Sequence, residues 1–228
     1  MATRPATRAG NRSIIRAPFQ PVKPAMALNP LRDAAFTTAA HRLDQLPADT
    51  GCEIAFAGRS NAGKSSALNA LVGAGGLART SKTPGRTQQL VVFTLPDGRR
   101  LIDLPGYGYA KVPADLREHW RGELERYLRE RRSLRGLALI MDIRHPLKDF
   151  DRAMLAFCAD TVLPCHLLLS KADKLGRGEM SRTLAQVRRE LAGLGTGFSA
   201  QALSALRGEG VDEARTALAA LLDGPARD

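Results

Sequence analysis

The sequence predicts an α/β domain with a mostly parallel sheet of six strands, one of them antiparallel, and with helices on both faces. From residue 52 onward, short apolar runs alternate with longer segments whose apolar residues recur at helical spacing, which is the pattern of repeated β-α units. One pair of runs is joined by Pro96-Asp97-Gly98, a turn sequence typical of a hairpin, which predicts the antiparallel strand. The 228 residues are enough for one such domain with an extension.

The predicted elements follow one another without an internal repeat. The predicted strands are residues 52–57, 90–95, 100–104, 136–143, 164–170 and 198–203. The predicted helices are residues 64–72, 114–132, 149–160, 178–192 and 211–222. These elements place the domain at residues 51–224, and residues 31–50 are expected to form an extension that leads into it.

Residues 1–30 differ in composition from the rest of the chain. They contain five basic residues, five prolines and no acidic residue, so they cannot build a core, and we expect a flexible basic tail. The whole chain has a formal net charge of +11, which favours a polyanionic partner, nucleic acid before an anionic membrane. Codon bias toward arginine is the alternative explanation. The apolar runs are shorter than the roughly 18 residues of a membrane helix, so no membrane span is expected.

The cysteines give no sign of a cross-linked fold. Cys52, Cys158 and Cys165 are too few and too scattered for a disulfide framework or a zinc clip. Each lies in apolar sequence, so we expect free buried thiols in a reducing compartment. We also expect a monomer, because no exposed apolar seam is evident in the sequence.

Residues 58–65 match the phosphate-binding pattern G-x-x-x-x-G-K-[ST] and lie between a predicted strand and a predicted helix. The glycines allow backbone N–H groups to surround phosphates, and the N-terminus of the helix favours negative charge. Lys64 is predicted to reach the β- and γ-phosphates, and the Ser65 hydroxyl to bind Mg²⁺. The predicted contacts to a nucleoside triphosphate are Gly58, Arg59, Ser60, Asn61, Ala62, Gly63, Lys64 and Ser65.

A second phosphate-sensing segment is predicted at the end of the strand at residues 100–104, and it consists of Asp103, Leu104, Pro105 and Gly106. A carboxylate at this place reaches Mg²⁺ through water, and the backbone N–H of Gly106 can contact the γ-phosphate. We therefore expect Lys64 and Gly106 to make the catalytic contacts.

The segment from residue 80 to residue 89 offers hydroxyl groups for the Mg²⁺ shell of the triphosphate state. Thr80, Thr83 and Thr87 compete for this role. Thr87 is preferred because it precedes a predicted strand and follows Gly85, whose conformational freedom allows a sharp loop. An exposed basic loop with incidental hydroxyls is the alternative. Ordering of such a segment by the γ-phosphate is a common switch.

A guanine site is predicted from two short segments in the C-terminal half. In Ser170-Lys171-Ala172-Asp173, which ends a predicted strand, the carboxylate can accept hydrogen bonds from guanine N1–H and N2–H₂ that adenine does not offer. Two Ser-Ala pairs could close the base pocket, Ser199-Ala200 and Ser204-Ala205. We prefer Leu203-Ser204-Ala205, because it lies between the last predicted strand and the last predicted helix.

Taken in order, GRSNAGKSS, TPGRTQ, DLPGYGYA, SKAD and the late Ser-Ala pair resemble a translation-factor-type GTPase, and more narrowly the EngB family of bacterial ribosome-biogenesis GTPases. The specific part is DLPGYGYA with the preceding TPGRTQ, and the resemblance covers about residues 30–222. It implies a Ras-like P-loop GTPase fold that binds Mg²⁺ with GTP or GDP. It implies base contacts by Lys171 and Asp173, metal binding by Ser65 and Thr87, and switch contacts by Gly85, Arg86, Thr87, Gln88 and Gln89.

The resemblance also implies a function, a GTP-hydrolysing switch in assembly of the large ribosomal subunit in the bacterial cytoplasm, needed for growth and division through ribosome supply. One alternative is a nucleotide-gated module that binds RNA or the ribosome, with incidental hydrolysis. Another is a GTPase that acts on a different RNA substrate.

Three residues bear on how this chain would work. Ser170 replaces the Asn of N-K-x-D, although the resembled family tolerates a hydroxyl here. Tyr107 stands where well-known small GTPases have a water-orienting Gln, so we expect slow hydrolysis until a partner completes the site. Asn61 has the position that helps to hold K⁺ in related potassium-activated GTPases. A K⁺ site and an asparagine that caps its own loop are the two interpretations.

The helix predicted at residues 114–132 separates apolar from basic residues. Leu116, Trp120, Leu124, Tyr127 and Leu128 recur at helical spacing and are expected to face the core. The other face is rich in arginine, and its place after the γ-phosphate sensor favours a nucleotide-gated contact with ribosomal RNA through shape and phosphate. A salt-bridged solvated face is the alternative.

Overall fold

The computed structural model describes residues 29–78, 89–106 and 114–226, with the backbone alone for residues 114–121. These residues form one seven-stranded sheet flanked by five α-helices. The strands are β1 Ala35–Ala40, β2 Glu53–Gly58, β3 Leu90–Thr94, β4 Arg100–Asp103, β5 Leu134–Asp142, β6 Cys165–Ser170 and β7 Phe198–Ala202. The helices are α1 Lys64–Val72, α2 Ala114–Glu130, α3 Asp149–Asp160, α4 Arg177–Ala192 and α5 Val211–Leu222.

The strands lie in the order β1-β3-β4-β2-β5-β6-β7. β3 is antiparallel to both of its neighbours, β1 and β4, and the remaining adjacent pairs of the described sheet are parallel. The predicted hairpin joins β3 to β4, with the Gly98 N–H donating to the Leu95 carbonyl at 2.9 Å and Gly98 at a φ of +85°. The prediction of a mostly parallel sheet with one antiparallel strand is confirmed.

The predicted number of strands is wrong by one, because the extension predicted at residues 31–50 contains β1. Its sequence is Ala-Phe-Thr-Thr-Ala-Ala, and most of its residues are exposed, so it has neither a long apolar run nor a regular alternation. Backbone pairing with β3 makes it the edge strand of the sheet. The six predicted strands and five predicted helices all form, with ends within two residues of those predicted.

Helices cover both faces of the sheet, as predicted. α1 and α5 lie on one face, where Leu68 and Leu218 pack in a cluster with Phe56 of β2. α2, α3 and α4 lie on the other face, where their buried residues include Tyr127, Leu155 and Val187. Successive residues of a strand point to opposite faces, so the central strand β2 is buried on both sides and contributes to both clusters.

The apolar face of α2 points into the core. Tyr127 and Leu128 are buried and Leu124 packs against them, whereas Leu116 and Trp120 lie outside the side chains that the structure describes. In the described part of the chain, no helix is long and apolar enough to cross a membrane.

The three cysteines are free thiols. Cys158 and Cys165 are buried as expected, but Cys52 is partly exposed.

Residues N-terminal to β2 pack on the domain. Leu31 is fully buried, and the Asn29 side-chain amide donates to the Leu71 carbonyl of α1 at 3.0 Å. Asp49 accepts hydrogen bonds from the backbone N–H groups of Arg132 and Ser133 at 3.0 and 2.8 Å. The segment before β2 is therefore tied to the end of α2 and the start of β5.

Candidate nucleotide site

The predicted site segments converge at one edge of the sheet, since the C-terminal ends of parallel strands meet there. Residues 58–65 follow β2, Asp103 ends β4, and Ser170 ends β6. The strand between β2 and β6 is β5, which ends at Asp142, a residue that the sequence analysis did not single out. This edge is where open α/β sheets bind their ligands.

Glycines allow the loop at residues 58–65 to adopt its path. A Cβ on Gly58 would lie 2.7 Å from the Ile140 carbonyl oxygen, so only glycine lets β2 approach β5 this closely. Gly63 has a φ of +93° and immediately precedes α1, which begins at Lys64. Asn61 also has a left-handed backbone, with a φ of +62°, a conformation that asparagine tolerates better than most residues.

Lys64 and Asp103 form an ion pair across the site. Both side chains are nearly buried, and the Leu104 N–H donates to the Phe56 carbonyl at 3.0 Å, which fixes the end of β4 against β2. Pro105 and Gly106 follow and are partly buried. The ammonium group predicted to meet phosphates and the carboxylate predicted to act near the metal are thus adjacent.

Two side chains at the end of β6, those of Ser170 and Lys171, connect the guanine-recognition segment to the phosphate loop. The buried Ser170 hydroxyl lies within hydrogen-bond distance of the carbonyl oxygens of Ala62 and Met141. The Lys171 ammonium donates to the Asn61 carbonyl at 2.7 Å and to Asp142 Oδ2 at 2.9 Å. The two segments are therefore in direct contact.

Asp142 is held by Arg144 as well as by Lys171. The Arg144 guanidinium binds both carboxylate oxygens, with Nε 2.9 Å from Oδ1 and Nη2 2.6 Å from Oδ2. This pairing, followed by the hydrogen bond from Lys171, holds the pKa of Asp142 well below its usual range, although burial acts in the opposite direction.

Asp173 and Ser204 are brought together as the preferred Ser-Ala pair requires. The Ser204 hydroxyl donates to Asp173 Oδ1 at 2.8 Å, and this hydrogen bond is the main cause that lowers the pKa of Asp173. The Leu203 carbonyl accepts from the Ala172 N–H at 3.1 Å. Ser199 instead lies within β7, where its hydroxyl is 2.7 Å from Nδ1 of His166. The choice of residues 203–205 as a base contact stays a prediction, but the geometry favours it.

A cleft of about 570 Å³ opens between these segments, a volume within the range of small-molecule sites. Gly63 and residues of α1 line it, together with Leu203, Ala205 and Leu206. Lys171 and Asp173 also line the cleft. The space beside the Asp173 carboxylate is therefore open to a base.

Some predicted contacts are not placed near this cleft. The Arg59 guanidinium donates to the His145 carbonyl at 3.0 Å and lies 3.3 Å from Asp151, so it ties the phosphate loop to the start of α3. The Gln89 amide is 2.6 Å from the His41 ring. Gly85, Arg86, Thr87 and Gln88 lie outside the described residues, as does Tyr107.

The arginines of α2 whose side chains are described are paired within the protein. Arg126 lies 3.1 Å from Glu123 and 3.6 Å from Glu130. Arg129 lies 3.5 Å from Glu125, and its guanidinium carbon is 5.2 Å from the centre of the Phe157 ring. These contacts favour the salt-bridged interpretation of this face. The side chains of Arg117 and Arg121 lie outside the described residues.

The chain is similar to known GTP-binding proteins. A family model described as "50S ribosome-binding GTPase" matches residues 53–171. The chain is 55% identical over 193 residues to a probable GTP-binding protein EngB of Xanthomonas euvesicatoria, covering 84% of this chain and 93% of that protein. It is 56% identical over 183 residues to the protein of the same name from Stenotrophomonas maltophilia, covering 80% and 92% of the two chains.

Solved structures show the same fold. A crystal structure of a probable GTP-binding protein engB matches with a TM-score of 0.61 at 20% identity, covering 75% of this chain and 99% of that chain. Translation elongation factor SelB from Methanococcus maripaludis matches with a TM-score of 0.55 at 17% identity, covering 78% and 34%. The fold is therefore the Ras-like GTPase fold. The chain belongs to the EngB family of GTP-binding proteins, and it is a GTP-hydrolysing enzyme.

Proposed function

We propose that this protein is a GTP-operated switch that binds the large ribosomal subunit during its assembly and leaves after hydrolysis. The observation that carries the proposal is the match of residues 53–171, which include most of the cleft, to a family described as ribosome-binding. The net charge of +11 supports a polyanionic partner such as ribosomal RNA. The switch acts in the bacterial cytoplasm as a monomer, and growth and division depend on it through ribosome supply.

The cleft accommodates a guanine nucleotide with its base beside Asp173 and its phosphates at the start of α1. Asp173 accepts from guanine N1–H and N2–H₂, and Ser204 orients that carboxylate through its hydroxyl. Backbone N–H groups of residues 58–65 and the Lys64 ammonium bind the phosphates. The γ-phosphate meets the N–H of Gly106 and the segment from Gly85 to Gln89.

The residues at the phosphate end fit a divalent metal. Ser65 and Asp103 offer hard oxygen ligands of the kind that Mg²⁺ prefers, and Asp103 is a nearly buried carboxylate beside Lys64. Mg²⁺ would be held by the Ser65 and Thr87 hydroxyls, with Asp103 acting through water. Bound there, it offsets the charge of the phosphates.

Potassium is the further cation in this proposal. Among the described residues, the Asn61 side chain has no hydrogen bond that would make it a cap of its own loop, which leaves its amide oxygen for K⁺. Hydrolysis by the isolated protein is slow, because Tyr107 replaces the residue that would orient water.

The ribosome contact involves surface arginines other than those paired along α2. Within the described part of the chain, Arg177 and Arg189 on the exposed side of α4 have no hydrogen-bond or ion-pair partner, so they are available to phosphates.

Co-sedimentation with purified large ribosomal subunits tests the proposal. The protein should sediment with the subunits in the presence of a non-hydrolysable GTP analogue and should be released with GDP. The matched control is Asp173→Asn, which should respond to the corresponding xanthosine triphosphate analogue and not to the GTP analogue. Equal binding with the GTP analogue, with GDP and without nucleotide, lost at moderate salt, would contradict the switch and leave nonspecific adhesion to RNA.

A further inference from the structure

Lys171 connects the guanine-recognition segment to the phosphate loop through a single ammonium group. Its backbone has a left-handed φ of +59°, so the side chain leaves the chain at an unusual angle and turns back toward the phosphate loop. The ammonium lies between the Asn61 carbonyl oxygen, at 2.7 Å, and Asp142 Oδ2, at 2.9 Å. A flexible lysine needs such a second anchor to keep one position.

Asp142 is fixed more firmly than Lys171. It is the last residue of β5 and is 6% exposed, so its backbone is set by the sheet. Arg144 binds it at three points, through the backbone N–H at 3.1 Å and through two guanidinium nitrogens at 2.9 and 2.6 Å. Paired, charged hydrogen bonds of this kind are among the strongest that side chains make.

We propose that Asp142 and Arg144 are positioning residues that hold the Lys171 ammonium against the phosphate loop, so that base recognition and phosphate binding share one rigid support. The inference depends on the proposed placement of the base beside Asp173 and of Lys171 in the nucleotide site. Neither Asp142 nor Arg144 belongs to a recognised nucleotide-binding motif in this sequence.

Ser170 makes the link through Lys171 more important, because its hydroxyl can donate only one hydrogen bond. A serine hydroxyl has one proton, so Ser170 can donate to the carbonyl oxygen of either Ala62 or Met141, but not to both. The asparagine usual at this position carries two N–H donors. In this chain, the Lys171 link therefore has a larger share in joining the two segments, and it depends on Asp142.

A double-mutant cycle measured with a fluorescent GDP analogue tests this inference. Asp142→Asn keeps the size of the side chain and removes its charge, and it should weaken GDP binding roughly 10-fold, as expected for loss of a charged hydrogen bond. Lys171→Met should weaken it by at least as much. If Asp142 acts through Lys171, then the double variant should bind GDP no more weakly than Lys171→Met alone.

The second pair of variants examines Arg144. Its side chain is exposed, so we expect these variants to fold. Arg144→Gln should weaken GDP binding severalfold, and Arg144→Lys should recover part of the loss because one charged hydrogen bond to Asp142 can reform. Asp160→Asn, at the exposed end of α3, is the matched charge control and should leave GDP binding unchanged. Thermal unfolding of each variant confirms that the protein measured is folded.

The outcomes distinguish the placement of Lys171 in the nucleotide site from the positioning role of Asp142 and Arg144. Unchanged binding in Lys171→Met would overturn the placement of Lys171 in the nucleotide site. Weakened binding in Lys171→Met, combined with no effect of Asp142→Asn or with effects that multiply in the double variant, would overturn the positioning role alone. No effect of Arg144→Gln would remove Arg144 from the inference.

Discussion

Charged clusters lie at both ends of the central strands. They differ in how many of their hydrogen-bonding groups have partners within the protein. At the N-terminal end of β2, Glu53 is fully buried between two arginines, Arg100 and Arg131. At the C-terminal ends, Lys64 pairs with Asp103 and Lys171 pairs with Asp142, and Gly63 beside Lys64 and the side chain of Lys171 line the cleft. We call these the Glu53 cluster and the cleft cluster.

The Glu53 cluster is closed. Arg100 Nε and Arg131 Nη2 each lie 2.7 Å from Glu53 Oε1, and the Tyr127 hydroxyl donates to Oε2 at 3.2 Å. Nη2 of Arg100 and Nη2 of Arg131 also donate to backbone carbonyls of residues 47–50. Burial and the adjacent carboxylate raise the pKa of Tyr127 well above its ordinary value. Both oxygens of the Glu53 carboxylate are thus bonded within the protein.

In the cleft cluster the charges are arranged in pairs, and Lys171 lines the cleft together with the neighbouring Asp173. Asp173 has one oxygen bonded to Ser204 and the other 3.5 Å from the exposed Lys174 ammonium, so it can still accept from a ligand. The Glu53 carboxylate, bonded within the protein through both oxygens, stabilises the fold, whereas Asp173, which also lines the cleft, is suited to binding. The two clusters should therefore respond to substitution in different ways.

Removing the Glu53 carboxylate should have the largest effect. Glu53→Ala leaves two arginines in the interior with no acid between them, and we expect the free energy of unfolding to fall by about 3–5 kcal/mol. Urea unfolding followed by circular dichroism measures this loss. Glu130→Ala, at an exposed glutamate of α2, is the control and should change stability by less than about 1 kcal/mol. A loss of similar size in both variants would show that the Glu53 cluster is not special.

Asp173→Asn should damage binding and leave folding almost intact. The variant loses two charged hydrogen bonds to guanine, and we expect GTP affinity to fall roughly 100- to 1000-fold. Xanthosine triphosphate should bind better than it does to the natural protein, because its base has a carbonyl oxygen to which an asparagine amide can donate. Nucleotide titration of both proteins tests this change. Unchanged preference for GTP would contradict the placement of the base.

Ser204→Ala should have a smaller effect of the same kind. It removes the hydrogen bond that chiefly lowers the pKa of Asp173, so this pKa should rise toward the ordinary value of 3.8. At neutral pH Asp173 is ionised in both proteins, so the roughly 10-fold loss of GDP affinity expected there comes from a carboxylate that Ser204 no longer orients. Since only the ionised carboxylate accepts from guanine, affinity should also begin to decrease at a higher pH than in the natural protein as the solution is acidified. Titrations between pH 4 and 7 distinguish this result from a parallel loss at every pH, which would contradict the proposed role of Ser204.

The sequence predicted what depends on local pattern. The path of residues 58–65 depends on glycines within the loop and on the helix that follows it directly. The turn at Gly98 likewise depends on its own residues, Pro96, Asp97 and Gly98. β1 is not predicted, because its pairing with β3 depends on residues 50 to 59 positions away. The Glu53 cluster and the link from Asp142 to Lys171 are not predicted for the same reason, since these partners are distant in sequence and only the fold brings them together. The sequence predicts Arg59 only as a member of the phosphate-contacting loop, and the ion pair of its side chain with Asp151, 92 positions away, is visible only in the fold.

The smallest effect should come from a buried polar group that carries no charge. His166 on β6 is nearly buried, with Nδ1 2.7 Å from the Ser199 hydroxyl and Nε2 3.0 Å from Gln201 Oε1. Burial lowers its pKa, and the nearby Arg188 acts in the same direction. The unfolded chain binds a proton near pH 6.5 while the folded one resists it, so the free energy of unfolding should decrease as the pH falls below about 6.5.

His166→Asn tests this pH dependence. The variant lacks the titrating ring, so its stability should fall less steeply between pH 7 and pH 5 than that of the natural protein, while GDP affinity at pH 7 should stay unchanged. Urea unfolding midpoints at several pH values provide the measurement. Equal slopes in the two proteins would mean that His166 is protonated as easily in the folded state as in the unfolded chain. The hydrogen bonds of His166 to Ser199 and Gln201 would then be compatible with a protonated ring. Burial within the fold would in that case not determine the protonation of His166.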